Sequence, residues 1–393
     1  MADNSLLNLR EAAALIKKIA KEKKSVILYG DADMDGASSV LIMREIFRSL
    51  SAIYRKEEKL RIYFPNRSKD GYGLNKKALK DLRQYAPCWI IMVDCGIGNI
   101  KEVAQAKKLG FQSIIIDHHR VLEKMPAAEI VIDPHQPGEQ YEFREFSNAG
   151  LCLRLAEEII KDKKKISEIY IWTALANIAD QVPDRGENEE ITQKGLKHLP
   201  EVKNIGLRKL MQLVEFKNSG KPEVVTKIVG SLNSSENIGF LNEIYLLLAS
   251  TTSDEAEKWA KNLLKGSKEK SEKKRLVVEE VSKRLEEVGK KENIIFEGDK
   301  SWRLIHLGSA ASELMQKYHI PVFLYAIDRQ QSTGSARLPK GFNGVEALSS
   351  CKELLGTYGG HPPACGFKFK NQNAAKVKKK LIEFFKEHNY DNH

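Results

Sequence analysis

"SVILYGDADMDGASSV", Ser25 to Val40, sets Asp31, Asp33 and Asp35 at alternate positions directly after a short apolar, β-favouring run, and closes the group with Gly36. Like charges at this spacing repel, and each resists ionising beside the others. A chain keeps such a cluster when something positive sits among the acids. The stretch therefore predicts a strand, an acidic loop and then a helix, with a bound cation at the junction.

The neighbouring segments extend that pattern. "SVILY" (25–29), "LRIYFP" (60–65), "WIIMVD" (89–94), "SIIID" (113–117) and "EIVIDP" (129–134) are strand candidates, and "ASSVLIMREIFRSL" (37–50) reads as a helix. Short apolar runs separated by helical stretches imply an α/β fold with a parallel sheet buried on both faces. In such sheets ligands gather outside the carboxyl ends of the strands. The acids Asp31 to Asp35, Asp94, Asp117 and Asp133 all end strands, and Asp117 is followed by His118 and His119. One strand-ending Asp is ordinarily an Asx turn or a helix cap. Four strands delivering acids to one edge, with two histidines, point instead to a site for Mn²⁺ or Mg²⁺, the imidazole favouring Mn²⁺.

The chain has 393 residues, too many for one ordinary core, so two domains are expected. Hydrophobic content of 42% and charged content of 30% are globular values. A net charge of +11 suits a polyanionic partner such as nucleic acid, and equally a merely soluble surface. Cys88, Cys95, Cys152, Cys351 and Cys365 form no CxxC pair, which fits reduced, buried thiols and a cytoplasmic location rather than disulfides or zinc. The first 24 residues read as an amphipathic helix, with no signal peptide and no membrane span.

Residues 166–183 read as a helix closing at Asp180, and 194–260 are largely helical in composition. In the charged stretch that follows, Val277, Val281, Leu285 and Val288 make a helical stripe, read as a solvated connector. A β-rich pattern begins near Ile294 with "NIIFEG", "WRLIHLG", "PVFLYAI", "TGSARLP" and "YGGHPPACGFKF". The expected division is 1–260, a connector over 261–291, and a smaller α/β domain over 292–393. Lys163 to Lys165 and Lys378 to Lys380 read as solvated faces.

"GDADMDGASS", "VDCGIGN", "DHHR" and "NIADQVP", in this order, resemble the DHH phosphoesterase superfamily, and "GSARLP" and "YGGHPPACGF" resemble its associated C-terminal domain. "FPNRSKDGYGL" (64–74) is similar to the RecJ-type single-strand exonucleases. The resemblance implies a parallel-sheet DHH domain joined by a helical connector to a smaller α/β DHH-associated domain. It implies Asp33, Asp35, Asp94, His118 and Asp180 as ligands of two ions, with Asp94 bridging, Asp31 as a further ligand, and His119 and His361 in the catalytic set. It implies Arg67, Ser335, Arg337, Gly360 and His361 as substrate-binding groups, the first three against a terminal phosphate, with Gly359 in the same "GGH" turn.

The implied reaction is metal-dependent hydrolysis of single-stranded DNA from a 5′ end, in repair or recombination, with a basic cleft between the domains admitting the strand. His119 either donates to the phosphoryl group or orients a ligand. Tyr63, Phe64 and Tyr72 read as core before they read as base-stacking rings. Tyr29 stands where many relatives place a ligating histidine, so one ion is expected to be held more weakly, or Asp31 to compensate. The chain stops soon after "CGFKF", so a further strand-gripping barrel is expected to be missing. The alternatives are an exonuclease of RNA or short oligonucleotides, and a non-catalytic replication scaffold that has lost the acids.

Overall fold

The computed structural model describes residues 5–66, 70–121, 124–216, 222–289 and 292–387. The chain divides into two compact units, Met1–Ser267 and Lys268–His393.

In the first unit an amphipathic helix, α1 (Leu9–Lys21), precedes β1 (Val26–Gly30) and α2 (Met34–Leu50). β2 (Leu60–Tyr63), α3 (Lys76–Leu82), β3 (Cys88–Val93), α4 (Ile100–Lys108), β4 (Phe111–Ile116) and β5 (Ile130–Ile132) follow. The five strands form a parallel sheet in the order β2-β1-β3-β4-β5. Alternation along each strand divides the apolar side chains between two layers. Val26, Leu28, Ile91, Val93, Ile114 and Ile116 face one core, shared with α1 and α2. Ile27, Tyr29, Ile90, Met92 and Ile115 face the other, which α3 and α4 cover. Both faces are thus buried, which explains the near-continuous apolar runs.

The first core continues into α5 (Asn148–Ile159), α6 (Lys163–Asp180), α7 (Glu187–His198), α8 (Ile205–Leu213) and α9 (Pro222–Leu232). A short hairpin, β6 (Asn237–Ile238) and β7 (Leu241–Asn242), leads to α10 (Glu243–Ala249). Then α11 runs from Ser253 to Val288, and the boundary between the units falls inside it.

The expected solvated connector over 261–291 is corrected on two counts. The helix begins earlier, and Val277, Val278 and Val281 are buried against Trp302, Leu307, Leu314 and Leu324, with Leu285 packed beside them. The Val288 side chain lies outside the described residues. "WRLIHLG" is not a strand either. It opens α12 (Leu304–Tyr318), because Leu307, Ala310, Ala311 and Leu314 repeat at helical spacing and bury one face.

The rest of the second unit is a mixed sheet. β8 (Ile295–Asp299), β9 (Val322–Ile327), β10 (Gln331–Arg337), β11 (Leu355–His361) and β12 (Ala364–Lys370) take the order β11-β12-β10-β9-β8. Only β8 and β9 pair in parallel; the other pairs in this sheet are antiparallel. α13 (Gly344–Ser349) and the lysine-rich α14 (Ala374–Glu387) close its apolar face through Leu348, Val377, Leu381 and Phe385.

The five cysteines are buried free thiols. Among the described residues no helix is long and apolar enough to cross a membrane.

The turn from β1 into α2 depends on Gly36. A Cβ there would lie 2.3 Å from the Asp31 carbonyl oxygen. Rigid backbone cannot yield as a side chain does, so Gly36→Ala is expected to cost about 1–3 kcal/mol. Urea denaturation checks it: the midpoint should fall with the slope unchanged.

Candidate metal centre

Strand ends and helix starts bring the acids together. Asp31 follows β1, buried, with its Oδ1 accepting from Ala32 N at 2.8 Å. Asp33 caps α2 and accepts from Gly36 N at 3.0 Å, satisfying one of the helix's open donors. Asp35, in the first turn of α2, is buried at 2% exposure. Its two oxygens accept from Asn148 N and Ala149 N, each at 2.7 Å. These amides begin α5, so a helix N-terminus stabilises the carboxylate from behind.

Asp94 follows β3 in the left-handed backbone region, at φ 58°. Several contacts hold this strained residue in place. Its carbonyl accepts from Tyr72 OH at 2.8 Å. Its amide bonds Ile116 O at 3.0 Å. With the Asn148 amide oxygen turned toward it, the same amide also reaches Asn148 at 3.0 Å, while the Asn148 nitrogen donates to Ile116 O at 2.8 Å.

His118 joins the two buried acids. Its Nε2 lies 3.2 Å from Asp94 Oδ1 and 3.8 Å from Asp35 Oδ2. Its Nδ1 lies 2.9 Å from Phe146 O. A carbonyl only accepts, so Nδ1 carries a hydrogen and Nε2 presents a lone pair to two carboxylates unless a proton or a cation intervenes. This is the observation that tests for a metal, and the residues fit one.

The electrostatics agree. Burial, then the charges of Asp33 and Asp35, push Asp94 well above the usual carboxylate range. Burial raises Asp35 to about 7, with His118 opposing and Asp180 and Asp33 adding. For His118, burial alone would lower the pKa. The Asp94 hydrogen bond and the charges of Asp94, Asp35 and Asp180 outweigh it and hold the ring well above its ordinary value. A divalent cation would relieve all three at once.

Three sets of ligand atoms each lie within 4.8 Å of one another: Asp31, Asp33 and Asp94; Asp35, His118 and Asp180; and Asp94, His118 and His119. Asp180, the last residue of α6, is exposed. The structure thus gathers Asp31, Asp33, Asp35, Asp94, His118, His119 and Asp180.

The other acids and Tyr29 have different places. Asp117 accepts from Ile97 N (2.9 Å), His118 N (2.8 Å) and His119 Nδ1 (2.7 Å). Burial opposes its charge, but the His119 bond and charge with these donors keep it below the usual range. Asp133 does not join the cluster. It is buried, accepts from His135 N at 2.7 Å, and leaves Oδ2 without a hydrogen-bond partner. Tyr29 does not stand at a ligand position. Its hydroxyl donates to Gly73 O at 2.8 Å and its ring stacks on Tyr63, because β1 turns it into the opposite apolar layer.

Arg67 lies outside the described residues. Ser335 and Arg337 sit two apart on β10, and Arg337 Nη1 donates to Ser335 Oγ at 3.0 Å and to Ala336 O at 2.8 Å. Gly359, Gly360 and His361 end β11 rather than forming the turn, which Pro362 and Pro363 make, and His361 is exposed. Asn148 and the Phe146 carbonyl escaped the sequence reading, and Tyr72, expected in the core, is instead exposed with its hydroxyl on Asp94 O. Ser147, which caps α5 by accepting from Gly150 N at 3.1 Å, was the available signal for Asn148.

Residues 25–178 match the DHH family, N-terminal domain, and residues 291–387 match the DHHA1 domain. The first unit therefore carries a DHH domain and the second a DHHA1 domain. The single-stranded-DNA-specific exonuclease RecJ of Bacillus subtilis is 31% identical over 379 residues, covering 95% of this chain and 47% of that protein. The protein of the same name from Thermus thermophilus is 29% identical over 365 residues, covering 92% of this chain and 52% of its own. The chain therefore spans about half the length of these two DHH relatives. Among solved structures, exonuclease RecJ bound to manganese superposes with a TM-score of 0.77 at 24% identity, covering 97% of this chain and 94% of that one. RecJ of Thermus thermophilus in complex with Mn²⁺ gives 0.81 at 22% identity, covering 97% and 55%. At these identities the likeness establishes the shared DHH fold.

Asp133 gives a pH prediction. Burial raises its pKa to about 8, with His135 N opposing and Asp117 adding. A folded pKa above the unfolded value contributes stability that is full at low pH and lost as pH rises through about 8. Asp133→Asn keeps the acceptor and removes the charge. Its unfolding free energy in EDTA, from urea denaturation, should gain on the wild type between pH 5 and pH 9, by at least ~1 kcal/mol at the upper end. An equal difference at both pH values would show that Asp133 is ionised throughout.

Proposed function

We propose that this chain is a metal-dependent exonuclease that hydrolyses phosphodiester bonds of single-stranded DNA from the 5′ end. The observation that carries the reading is His118 Nε2 facing the carboxylates of Asp94 and Asp35, with its tautomer set by Phe146 O. The names of the curated relatives supply the substrate. Two ions, Mn²⁺ or Mg²⁺, fit two of the ligand sets, Asp31, Asp33 and Asp94 for one and Asp35, His118 and Asp180 for the other, and the set of Asp94, His118 and His119 shares a residue with each. Bound there, they supply Lewis-acid activation of the phosphoryl group and of water.

The chain's own groups do the rest. The α5 amides hold the Asp35 carboxylate in place, and Tyr72 with Asn148 holds Asp94 at its strained φ. Asp117 engages His119 Nδ1, which leaves Nε2 of that half-exposed ring to face a phosphoryl oxygen or pass a proton to the leaving oxygen. Water adds to phosphorus as the bond to the leaving oxygen breaks.

Polarity rests on the second unit. Arg337 is more than half buried, and among the described residues no carboxylate pairs with it; burial lowers its pKa. A guanidinium so placed beside a serine hydroxyl suits a terminal phosphate dianion better than an internal diester. Anchoring that end positions the adjacent bond for cutting. Exposed Gly360 and His361, on β11 of the same unit, join this substrate-binding set, and Arg67 is assigned separately to substrate binding. Repair or recombination in the cytoplasm is the setting this activity suits. The intact acids favour it over a non-catalytic scaffold.

Asp94→Asn should lower the rate on single-stranded DNA by at least ~100-fold under Mn²⁺, because the set it forms with Asp31 and Asp33 loses a charge, while folding is kept. A rate near wild type would overturn the two-ion assignment. EDTA should abolish activity and Mn²⁺ or Mg²⁺ restore it, and dinucleotides should be poorer substrates than long strands.

Arg337→Ala should lose most of the preference for 5′-phosphate over 5′-hydroxyl ends at unchanged metal dependence. Were Arg337 only a packing residue, both substrates would suffer alike and the melting temperature would fall. Release of 3′ label first from end-labelled strands would refute the polarity.

A further inference from the structure

The first unit holds a second cavity, of about 650 Å³, along the outer edge of β2, the terminal strand of the parallel sheet. Its lining contains none of the acids or histidines of the metal centre. The volume lies within the ~300–1,000 Å³ range of small-molecule sites.

One end is cationic. Arg44 and Arg48 reach it from the last turns of α2, and Arg55 from the short turn before β2. Arg44 is buried and bonds Tyr245 OH (3.3 Å) and Glu45 Oε1 (3.2 Å). Arg48 has the same Glu45 oxygen at 3.7 Å, and its Nε is buried without a hydrogen-bond partner. Arg55 pairs with no carboxylate within 4.0 Å among the described residues. Burial and then the charge of Arg44 lower the Arg48 pKa, with Arg55 adding to the repulsion. Three guanidinium groups thus gather at one end of the cavity, where Glu45 pairs with Arg44 and Arg48, and Arg55 has no ion-pair partner among the described residues. That arrangement calls for a compact anion.

The other end is aromatic. Tyr85 is 36% exposed, with the Arg61 guanidinium 4.1 Å from its ring centroid. Phe240, at the tip of the β6–β7 hairpin, is 50% exposed and stacks on Tyr63 at 4.9 Å. Ring faces left open to solvent beside arginines suit a planar base.

Charge separates the two occupants that join an anion to a ring. An acidic peptide would bring several carboxylates past Glu57, Glu58 and Asp81, which also line the cavity. A nucleotide brings one concentrated dianion, and its amino and hydroxyl groups find acceptors in those same carboxylates. We propose that this cavity binds a nucleoside monophosphate, with the phosphate on Arg48 and Arg55 and the base against Tyr85 and Phe240.

The proposal does not rest on the reading of the metal centre. Because that centre and the Ser335–Arg337 phosphate site would themselves hold a nucleotide, the test uses the full chain carrying Asp94→Asn and Arg337→Ala, in EDTA. Isothermal titration with dAMP should show one site, and deoxyadenosine should bind at least ~10-fold more weakly for want of the charge-assisted bonds. Arg48→Ala and Arg55→Ala should each weaken dAMP by about tenfold. Tyr85→Ala should weaken dAMP while leaving inorganic phosphate unchanged. Arg55 is exposed, so its substitution keeps the fold, checked by the melting temperature, should Arg48→Ala not. No dAMP binding at millimolar concentration, undiminished binding in folded Arg55→Ala, or tighter binding of an Asp-rich peptide than of dAMP would each overturn it.

Discussion

Negative charge gathered where water is scarce is the constraint that the first unit is built around. Asp35 and Asp94 are nearly inaccessible, and half-buried Asp33 joins them. Isolated buried carboxylates would simply take up protons. Here the backbone supplies partial compensation: two α5 amides on Asp35 and the Gly36 amide on Asp33. Backbone donors cannot supply a full positive charge, and His118, with its Nδ1 hydrogen committed to Phe146 O, can bring at most one proton on Nε2 to two buried carboxylates. The remaining imbalance is what specifies a cation.

The sheet order explains why these residues meet. β1 is followed in the chain by β2 on one side and flanked by β3 on the other. Loops leaving β1 and β3 therefore part in opposite directions and open a crevice at the carboxyl ends of those strands. Asp31 to Asp35 come from one wall and Asp94 from the other, with His118 arriving after β4 next door. The crevice needs close backbone approach, which is why Gly36 has no room for a Cβ and why Asp94 sits at φ 58°. Geometry that strained persists only where surrounding contacts over-determine it. Tyr72, Asn148 and Ile116 do so for Asp94.

The parallel sheet was legible because both its faces are buried, so each strand writes an uninterrupted apolar run with an acid at its end. The acid cluster was legible for the same reason: strand ends in a parallel sheet share one edge. What escaped depends on partners distant in sequence. Asn148 reads as an ordinary polar residue until α5 places it against Asp94. Tyr29 sits two residues before the acids, yet strand alternation turns its ring into the layer away from α2. "WRLIHLG" carries β-favouring residues, but Ala310, Ala311 and Leu314 beyond it extend a helical stripe that outweighs them. The charged α11 hides its role because three valines suffice to bury one face.

Asp117 and Asp133 show how far strand-end position goes toward chemistry. Each follows a strand of the same sheet, each is buried, and each accepts from a backbone amide two residues on or nearer. Their charges nonetheless differ in sign of shift, Asp117 below the usual range and Asp133 above it. Donors decide the matter. Asp117 also receives Ile97 N and the His119 ring, whereas Asp133 has one oxygen with no hydrogen-bond partner. The first acid can therefore hold a histidine in a fixed tautomer, while burial pushes the second up to about 8. In this fold the loops after β3 and β4 turn Ile97 N, His118 N and the His119 ring onto Asp117, whereas the loop after β5 turns His135 N onto Asp133 and leaves its second oxygen without a hydrogen-bond partner.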